Sequence, residues 1–323
     1  MTAAGTRAPG AVVGLDVGGS KTHAVLTIDG VQTAEVLAGS ANPSSVGVEE
    51  AGRQLASVFA RLADGNPRPA RVCAGVAGAD TDESRAVFAG LLAKHVAGAE
   101  IAVVHDTALL LAAAGLDEGI ALIAGTGSVA WGRVAGEGGE AACEARVGGW
   151  GYLLGDEGSG YWVARAAVRH ALELIDLGDG PDRLSQQLAA DCGLQGAGEL
   201  LGHFYATPER RYWASRSRVV FERAAAGDPA ASVIVAGAAD ALVYLVARVA
   251  GRLAAVPSAA GTRPLPVVMA GGMAVNQPLL QRHVRDRLAG HGLHDVRVLD
   301  ADPVQGAVAL AAGSHLPSPI SSH

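Results

Sequence analysis

Short runs of apolar residues, each bounded by glycine, proline or acidic positions, alternate along this chain with longer amphipathic stretches. A short bounded apolar run is typical of a buried strand, whereas apolar positions three or four residues apart indicate a helix packed on one face. The predicted strands are 12–16, 23–28, 71–76, 101–104, 120–124, 129–134, 267–270 and 296–299. The predicted helices are 46–62, 82–95, 159–175, 228–256, 278–289 and 303–312. Because strands and helices alternate, the pattern predicts an α/β fold.

A unit of strand, glycine-rich turn and strand occurs twice. It first spans residues 12–28, with its turn at 18–21, and it occurs again at 120–134, with its turn at 125–128. A recurring unit predicts two similar lobes, even though few residues are identical between the two copies. The expected division is an N-terminal lobe of residues 1–114, a C-terminal lobe of 115–302 with a helical insertion near 176–227, and a final helical segment, 303–323.

Length, composition and charge narrow the class of protein. A chain of 323 residues, half of them apolar, can bury two cores. Its formal charge of −7 argues against a nucleic-acid surface, so we expect a small-molecule partner. The apolar stretch 238–256 carries Asp240, Arg248 and Arg252, which favours a packed helix over a membrane span. No apolar segment of signal-peptide type stands near the N-terminus, so we expect a cytoplasmic protein.

The cysteines and histidines show no spacing typical of a metal site. Cys73, Cys143 and Cys192 are far apart and form no Cys-x-x-Cys pair, which supports neither a disulfide framework nor a zinc site. The histidines are interpreted as structural or solvated side chains.

The first glycine-rich turn is a candidate phosphate site. The backbone amides of Gly18, Gly19, Ser20 and Lys21 can converge on an anion, and Asp16 is placed to hold Mg²⁺ directly or through water. The segment resembles a P-loop in spacing, but a P-loop opens a helix and here a strand follows. An ordinary hairpin turn is the alternative interpretation.

The second turn, Gly125-Thr126-Gly127-Ser128, favours the same chemistry. It also fits the looser G-x-G-x-x-A dinucleotide fingerprint, but no helix opens after it, as that fingerprint requires. A second phosphate hairpin fits better, with the Thr126 hydroxyl and the nearby amides as donors.

Asp106 follows the predicted strand 101–104 and precedes an apolar helix. Ligand sites of open α/β sheets lie at the carboxyl ends of strands, so this carboxylate is a candidate catalytic group. Its alternative role is the N-cap of the helix that follows.

The run from Gly148 to Trp162 combines glycines, an acidic pair and aromatic side chains. It contains two of the four tryptophans of a chain with only 4% aromatic residues, which indicates a ligand-facing loop. Asp156 and Glu157 have an alternative role as caps of the helix that begins near Ser159.

These segments together, with Gly271-Gly272-Met273-Ala274-Val275-Asn276, resemble the N-acetylglucosamine kinase branch of the BadF/BadG/BcrA/BcrD ATPase family. The resemblance runs from about Val12 to Ala312, and the run 148–162 is its most specific part. That family belongs to the actin-like, hexokinase-like ATPase superfamily. The resemblance implies two ribonuclease H-like lobes that close on ATP and Mg²⁺ in a central cleft, with a C-terminal helix that returns to the first lobe.

The resemblance also implies a role for each matched residue. It makes Asp106 the catalytic base and Asp16 the Mg²⁺ residue. The implied ATP and phosphate contacts are Gly18, Gly19, Ser20, Lys21, Thr22, Thr126, Gly127, Ser128, Gly271, Gly272 and Asn276. The implied sugar contacts are Asn42, Ala77, Gly78, Asp106, Trp150, Gly151 and Asp156, and Ala77 departs from animal relatives, in which a serine can stand there.

The expected activity is therefore the ATP-dependent phosphorylation of N-acetylglucosamine at its 6-hydroxyl. Glucosamine is the alternative substrate, and a homodimer is a further expectation. Two other classes remain open: an ATPase that activates an iron–sulfur dehydratase or reductase, and a non-catalytic sugar sensor. The first needs cysteine ligands between subunits, for which no plausible pair is visible here.

Overall fold

The structure is a computed structural model that describes residues 10–79, 81–136, 142–255 and 264–313. Residues 1–9 and 314–323, which the predicted lobes include, lie outside the described part. The strands are β1 (Ala11–Val17), β2 (Lys21–Ile28), β3 (Val31–Gly39), β4 (Arg71–Val76), β5 (Glu100–His105), β6 (Gly119–Ala124), β7 (Ser128–Val134), β8 (Cys143–Gly148), β9 (Val267–Ala270) and β10 (Val296–Val298).

The helices follow the strands in the expected alternation. They are α1 (Pro43–Val46), α2 (Val48–Leu62), α3 (Asp82–Ala93), α4 (Asp106–Ala113), α5 (Gly160–Asp176), α6 (Arg183–Asp191), α7 (Leu200–Ala206), α8 (Arg210–Ala225), α9 (Pro229–Ala254), α10 (Gly272–Asn276), α11 (Pro278–Ala289) and α12 (Pro303–Ala312), with a short 3₁₀ helix at Ala197–Glu199. The α/β class is confirmed, and residues 176–227 contain α6, the 3₁₀ helix, α7 and α8.

The chain forms two compact units, each with its own core. The first consists of Met1–Asp117 and Leu299–His323, and the second of Glu118–Val298. The first unit contains a five-stranded sheet in the order β3-β2-β1-β4-β5. Strands β1, β4 and β5 are parallel, whereas β2 and β3 run antiparallel to their neighbours.

The sheet of the second unit repeats this topology. Its order from the other edge is β8-β7-β6-β9-β10, with the same succession of antiparallel and parallel pairs. Two lobes of similar construction, predicted from the recurring hairpin, are therefore present. Parallel strands place their carboxyl ends at one edge of a sheet, so the residues after β1 and β5 belong to the same edge.

Helix α12 packs inside the first unit although it comes last in the chain. It contacts β1 and α4, and two glycines allow the close approach. A Cβ at Gly14 would lie 2.5 Å from the Val308 backbone nitrogen, and a Cβ at Gly306 would overlap the Leu109 carbonyl oxygen. Side chains at these two positions would push α12 off the layer that carries Asp16 and Asp106.

Helix α9 begins as its sequence predicts. The Asp228 side chain accepts a hydrogen bond from the Ala231 amide, and Pro229 occupies the first turn. By length and composition alone, this one helix among the described residues could cross a membrane, but half of its most apolar window is buried inside the protein. Its buried residues form part of the core of the second unit.

Candidate functional site

The first phosphate turn is closed by its own backbone. The Gly18 amide donates to the Lys21 carbonyl at 2.9 Å, and the Ser40 hydroxyl donates to the Gly18 carbonyl at 2.8 Å. The tip residues Gly19, Ser20 and Lys21 are exposed. Because the Gly18 amide already has an acceptor, a phosphate group would rely on the amides nearer the tip.

Thr22 occupies a different environment from the tip. It is fully buried in β2, and its hydroxyl accepts a hydrogen bond from the Ala41 amide at 2.9 Å. This contact holds the segment that follows β3 against the hairpin. The phosphate contact implied for Thr22 stays a prediction.

Asp16 and Asp106 meet at the edge formed by the carboxyl ends of the parallel strands. Asp16 is the second-last residue of β1, and Asp106 directly follows β5. Burial raises the pKa of Asp16 to about 6, with further increases from the negative charges of Asp106 and Asp302. Lys21 and His23 act in the opposite direction. The site therefore carries negative charge that burial does not favour.

This environment fits a hydrated magnesium ion. Mg²⁺ takes oxygen ligands, keeps several waters and is usually bound by one or two carboxylates together with substrate phosphates. Asp16, with Asp106 and Asp302 nearby, supplies such oxygens and gains charge neutralisation from a cation. The described residues contain no group of three or more His, Cys, Asp or Glu side chains arranged to hold a metal. A metal held mainly through Asp16, water and phosphate agrees with both observations.

Asp106 has a close neighbour that sequence reasoning did not assign to the site. The Nδ1 atom of His105 lies 2.9 Å from Oδ1 of Asp106, and the same nitrogen caps α4 by accepting from the Thr107 amide at 3.3 Å. The alternative prediction that Asp106 is itself the N-cap is therefore wrong, since His105 is the cap and Asp106 is the first residue of the helix. The Asp106 carboxylate keeps an accessible surface, with its side chain 28% exposed.

Three of the predicted sugar contacts share one cavity. Asn42, Ala77 and Gly78 line a cavity of about 300 Å³ in the first unit, the lower end of the size range of ligand sites. The Asn42 side chain donates to the Ala77 carbonyl at 2.7 Å and accepts from the Ser44 amide at 2.9 Å. These two hydrogen bonds fix the orientation of Asn42, which is 3% exposed.

The second phosphate turn belongs to the second unit and is open at its tip. The Gly125 amide donates to the Gly127 carbonyl at 2.9 Å, which closes the turn. Within the described residues, neither the Thr126 amide nor the Gly127 amide has a hydrogen-bond acceptor. Two adjacent amides without acceptors suit an anion such as a nucleotide phosphate.

The glycine pair predicted to face the adenosine lies beside this turn. Gly271 has φ +90°, and a Cβ on it would lie 2.7 Å from the Ala124 carbonyl oxygen at the end of β6. A glycine is therefore required for the chain to pass so close to the second phosphate turn. Asn276 ends α10, and its side chain donates to the Gly272 carbonyl at 2.7 Å.

The run 148–162 divides into an exposed part and a buried part. Trp150 is 70% exposed, with the Arg146 guanidinium 5.9 Å from its ring centre, and Gly151 follows at φ +82°. Asp156 is 6% exposed and accepts a hydrogen bond from the Ser128 amide at 3.2 Å. Trp150 is therefore open to solvent, and the sugar contact implied for Trp150 and Gly151 stays a prediction. Asp156 lies against the second phosphate turn.

Burial also affects the ionisation of the Asp156 carboxyl group. It raises the pKa of this carboxyl group, and the charge of Glu157 adds to the increase, while the Ser128 hydrogen bond and Arg210 oppose it. Tyr161 is buried and Trp162 packs against the core of the second unit, so both rings contribute to packing.

A family model covers almost the whole described chain. The model of the BadF/BadG/BcrA/BcrD ATPase family matches residues 13–311. The chain belongs to this family. The family resemblance stated from the sequence is therefore confirmed.

Two relatives from this comparison are sugar kinases by name. An N-acetylmuramic acid/N-acetylglucosamine kinase from Clostridium acetobutylicum is 32% identical over 243 residues, which cover 73% of this chain and 78% of that protein. An N-acetyl-D-glucosamine kinase from Dictyostelium discoideum is 26% identical and covers 94% of this chain and 98% of its own.

Solved structures agree on the fold of this family member. A structure named as an N-acetylglucosamine kinase from Chromobacterium violaceum superposes with a TM-score of 0.67 at 23% identity, covering 93% of this chain and 98% of that one. A likeness at this identity shows the fold, which is the α/β fold expected from the sequence.

Sequence reasoning missed two groups near the candidate catalytic carboxylates. Asp302 is absent from the predicted site, yet its charge acts on Asp16. His105 was interpreted as structural together with the other histidines, yet it contacts Asp106. The position of His105 next to Asp106 in the sequence was a signal that could have placed it in the site. No signal in the sequence indicates Asp302, because only the packing of α12 against β1 brings it there.

Proposed function

We propose that this family member transfers the γ-phosphate of ATP to the 6-hydroxyl of N-acetylglucosamine. The coarser conclusion, an ATP-dependent sugar kinase, has the support of the family and of both named relatives. The observation that carries the proposal is the pair Asp16 and Asp106, placed together at the strand edge beside the exposed turn 18–21.

In this proposal Asp106 is the catalytic base. Its carboxylate accepts the proton of the attacking hydroxyl, a role that typically contributes ~10²- to 10⁴-fold in rate. His105 holds the carboxylate from one side, and the start of α4 fixes its backbone. The remaining catalysis is positioning and charge stabilisation, which dominate phosphoryl transfer.

The phosphate chain of ATP is held by amides. We assign the tip of the first turn and the Thr126 and Gly127 amides to the phosphates, with Gly271 and Gly272 at the adenosine. Asp16 would hold Mg²⁺ directly or through water. A bound Mg²⁺ neutralises phosphate charge, which assists attack on the γ-phosphate.

The sugar is assigned to Asn42, Ala77 and Gly78 with Trp150, Gly151 and Asp156. The apolar ring of Trp150 suits stacking on a sugar face. The relative from Clostridium acetobutylicum is named for N-acetylmuramic acid as well, which makes this sugar a second candidate substrate. Glucosamine remains the alternative, because one small group in a pocket changes discrimination by only about 1 to 3 kcal/mol.

A coupled ADP-release assay tests the proposal. The purified protein, ATP and Mg²⁺ are combined in turn with N-acetylglucosamine, N-acetylmuramic acid, glucosamine, N-acetylmannosamine and glucose. We expect the highest kcat/KM for N-acetylglucosamine and a phosphomonoester at carbon 6 by ³¹P–¹H NMR. A higher value for glucosamine or glucose would contradict the substrate, and phosphate at carbon 1 would contradict the position.

The same purified protein distinguishes a kinase from the two other classes of protein, the sugar sensor and the iron–sulfur activator. A non-catalytic sugar sensor would bind sugar without sugar-dependent ADP release. An activator with an iron–sulfur cluster would contain iron and need accessible thiols. Cys73 does not suit that role, because it is fully buried and burial raises the pKa of its thiol to about 12.

A further inference from the structure

Three hydrogen bonds join the segment 156–160 to the second phosphate turn. The Ser128 amide donates to the Asp156 carboxylate at 3.2 Å, and the Ser128 hydroxyl donates to the Glu157 carbonyl at 2.7 Å. The Gly160 amide, at the start of α5, donates to the Gly125 carbonyl at 2.8 Å. Both ends of the turn are thus fastened to one segment, whereas the Thr126 and Gly127 amides between them keep no acceptor within the described residues.

Asp156 supplies the one carboxylate acceptor among these three hydrogen bonds. It has φ +61°, one of two non-glycine residues with positive φ in the described part of the chain, and it is 6% exposed. Such strain persists only where the surrounding structure fixes it, and it often marks a functional site. A Cβ on Gly127 would lie 2.8 Å from the Asp156 carboxylate, so the turn and the carboxylate are in direct contact.

We infer that Asp156 is a positioning residue for nucleotide binding, which holds the second phosphate turn through Ser128 so that the Thr126 and Gly127 amides face the phosphates of ATP. The inference rests on the proposed function for the identity of the ligand. It adds to the sugar contact implied for Asp156 a separate role that does not require sugar.

The physical reason lies in the buried Ser128 amide. Ser128 is 3% exposed, so its N–H loses water when the protein folds and needs a protein acceptor. Without the carboxylate, the turn must move to find another acceptor, and the two open amides move with it. Nucleotide affinity then falls because the amides are no longer preorganised.

The two roles of Asp156, sugar contact and positioning of the turn, predict different nucleotide affinities when sugar is absent. A residue that only contacts sugar leaves the affinity for nucleotide unchanged when sugar is absent. A residue that positions the turn changes that affinity directly. The measurement is therefore the dissociation constant of a Mg²⁺-bound, non-hydrolysable ATP analogue, obtained by calorimetry without any sugar.

Two variants at this position distinguish the effect of the carboxylate from the effect of the unusual backbone conformation. Asp156→Gly removes the carboxylate and is compatible with the positive φ. Asp156→Asn keeps an acceptor oxygen for the Ser128 amide and also tolerates this backbone conformation. Asp228→Ala is the matched control: Asp228 is a buried carboxylate of the same unit that accepts a backbone amide, but it caps α9 instead of the turn.

We expect Asp156→Gly to weaken binding of the analogue about tenfold, the effect of losing a hydrogen bond to a charged acceptor. Asp156→Asn and Asp228→Ala should remain within about twofold of the unaltered protein. Unchanged affinity in folded Asp156→Gly would overturn the inference, and so would a tenfold loss in folded Asp156→Asn.

Hydrogen exchange of the unaltered protein provides a test that does not depend on the folding of a variant. We expect the Ser128 amide to be protected and the Thr126 and Gly127 amides to exchange rapidly without nucleotide. Rapid exchange at Ser128 would overturn the inference. The sugar panel is independent of these results, since a protein that binds the analogue but phosphorylates no amino sugar would refute the proposed function alone.

Discussion

At the scale of single residues, burial and neighbouring charge distinguish the two central carboxylates. Asp16 lies within β1 and its pKa is raised to about 6 by burial and by Asp106 and Asp302. Asp106 lies beyond the end of β5 with part of its side chain exposed and His105 beside it. The proposed function therefore assigns the cation to Asp16 and the substrate proton to Asp106.

Replacement of Asp106 by asparagine tests the base. We expect Asp106→Asn to lower kcat by ~10²-fold or more, because the amide cannot accept the hydroxyl proton. The affinity for the ATP analogue should stay nearly unchanged. Steady-state kinetics and calorimetry measure the two quantities, with Asp64→Asn at an exposed turn of the same unit as the control. Near-normal turnover of Asp106→Asn would remove Asp106 from this role.

The proposed role of Asp16 predicts that the binding of Mg²⁺ depends on pH. Because its folded pKa is about 6, the carboxylate is ionised at pH 8 and becomes protonated as the pH falls through 6. A proton and a cation compete for the same oxygens. We expect the Mg²⁺ concentration for half-maximal activity to rise steeply below pH 6. An unchanged requirement between pH 8 and pH 5.5 would exclude Asp16 as the metal residue.

The same raised pKa has a consequence for stability. A folded pKa above the unfolded value means that the ionised carboxylate destabilises the folded metal-free protein, fully above pH 6 and less as the pH falls towards 4. We expect Asp16→Asn to raise the free energy of unfolding by about 1 to 3 kcal/mol at pH 8 without Mg²⁺. Urea unfolding at pH 8 and pH 4.5 measures this gain, which should shrink at the lower pH.

At the scale of elements, most strands were predictable from the sequence, but two antiparallel edge strands were not. The apolar pattern does not predict β3 and β8, each of which lies at one edge of its sheet. Strand β3 exposes most of its residues, including Leu37 at 59%, and so lacks the apolar run of a buried strand. Tertiary pairing with β2 forms this strand, and its residues alone do not indicate it.

Helix α12 depends on a glycine contact that a substitution can test. Gly306→Ala places a methyl group against the Leu109 carbonyl of α4, so α12 must move away from α4. Overpacking of this kind typically costs about 1 to 3 kcal/mol, and we expect at least that loss in urea unfolding. The kcat/KM should also fall, because α12 directly follows Asp302 and packs on β1, the strand that carries Asp16.

Gly202→Ala provides the matched control. Gly202 lies within helix α7, and a Cβ there meets nothing within 4 Å. The same change should therefore stabilise the protein by about 0.4 to 1 kcal/mol through the unfolded state. Equal effects of the two substitutions would contradict the close contact at Gly306.

At the scale of the whole molecule, one topology serves both units. Each sheet delivers a glycine-rich turn between its first two strands, and the predicted nucleotide contacts are distributed over both turns. The sequence predicted this doubling from hairpin spacing, although few residues are identical, because turns and apolar strands repeat where other positions are free to differ.

Ligand binding should be visible in global stability. A ligand at 100 times its dissociation constant stabilises the folded state by about 2.7 kcal/mol. We expect Mg²⁺ with ADP to raise the melting temperature, and we expect EDTA to remove most of that gain. An equal shift with EDTA present would contradict a metal-assisted nucleotide site.

The sequence by itself determined the α/β class and the two glycine-rich turns, and it made Asp106 a candidate, because apolar periodicity and turn chemistry are local properties of the chain. It also indicated a ligand-facing loop in the run 148–162. Only the tertiary structure decided that Asp302 acts on Asp16, and that Asp156 accepts the Ser128 amide from a position 28 residues away. Contacts between residues far apart in the sequence depend on how sheets and helices pack. The local pattern of apolar and polar residues therefore cannot predict them.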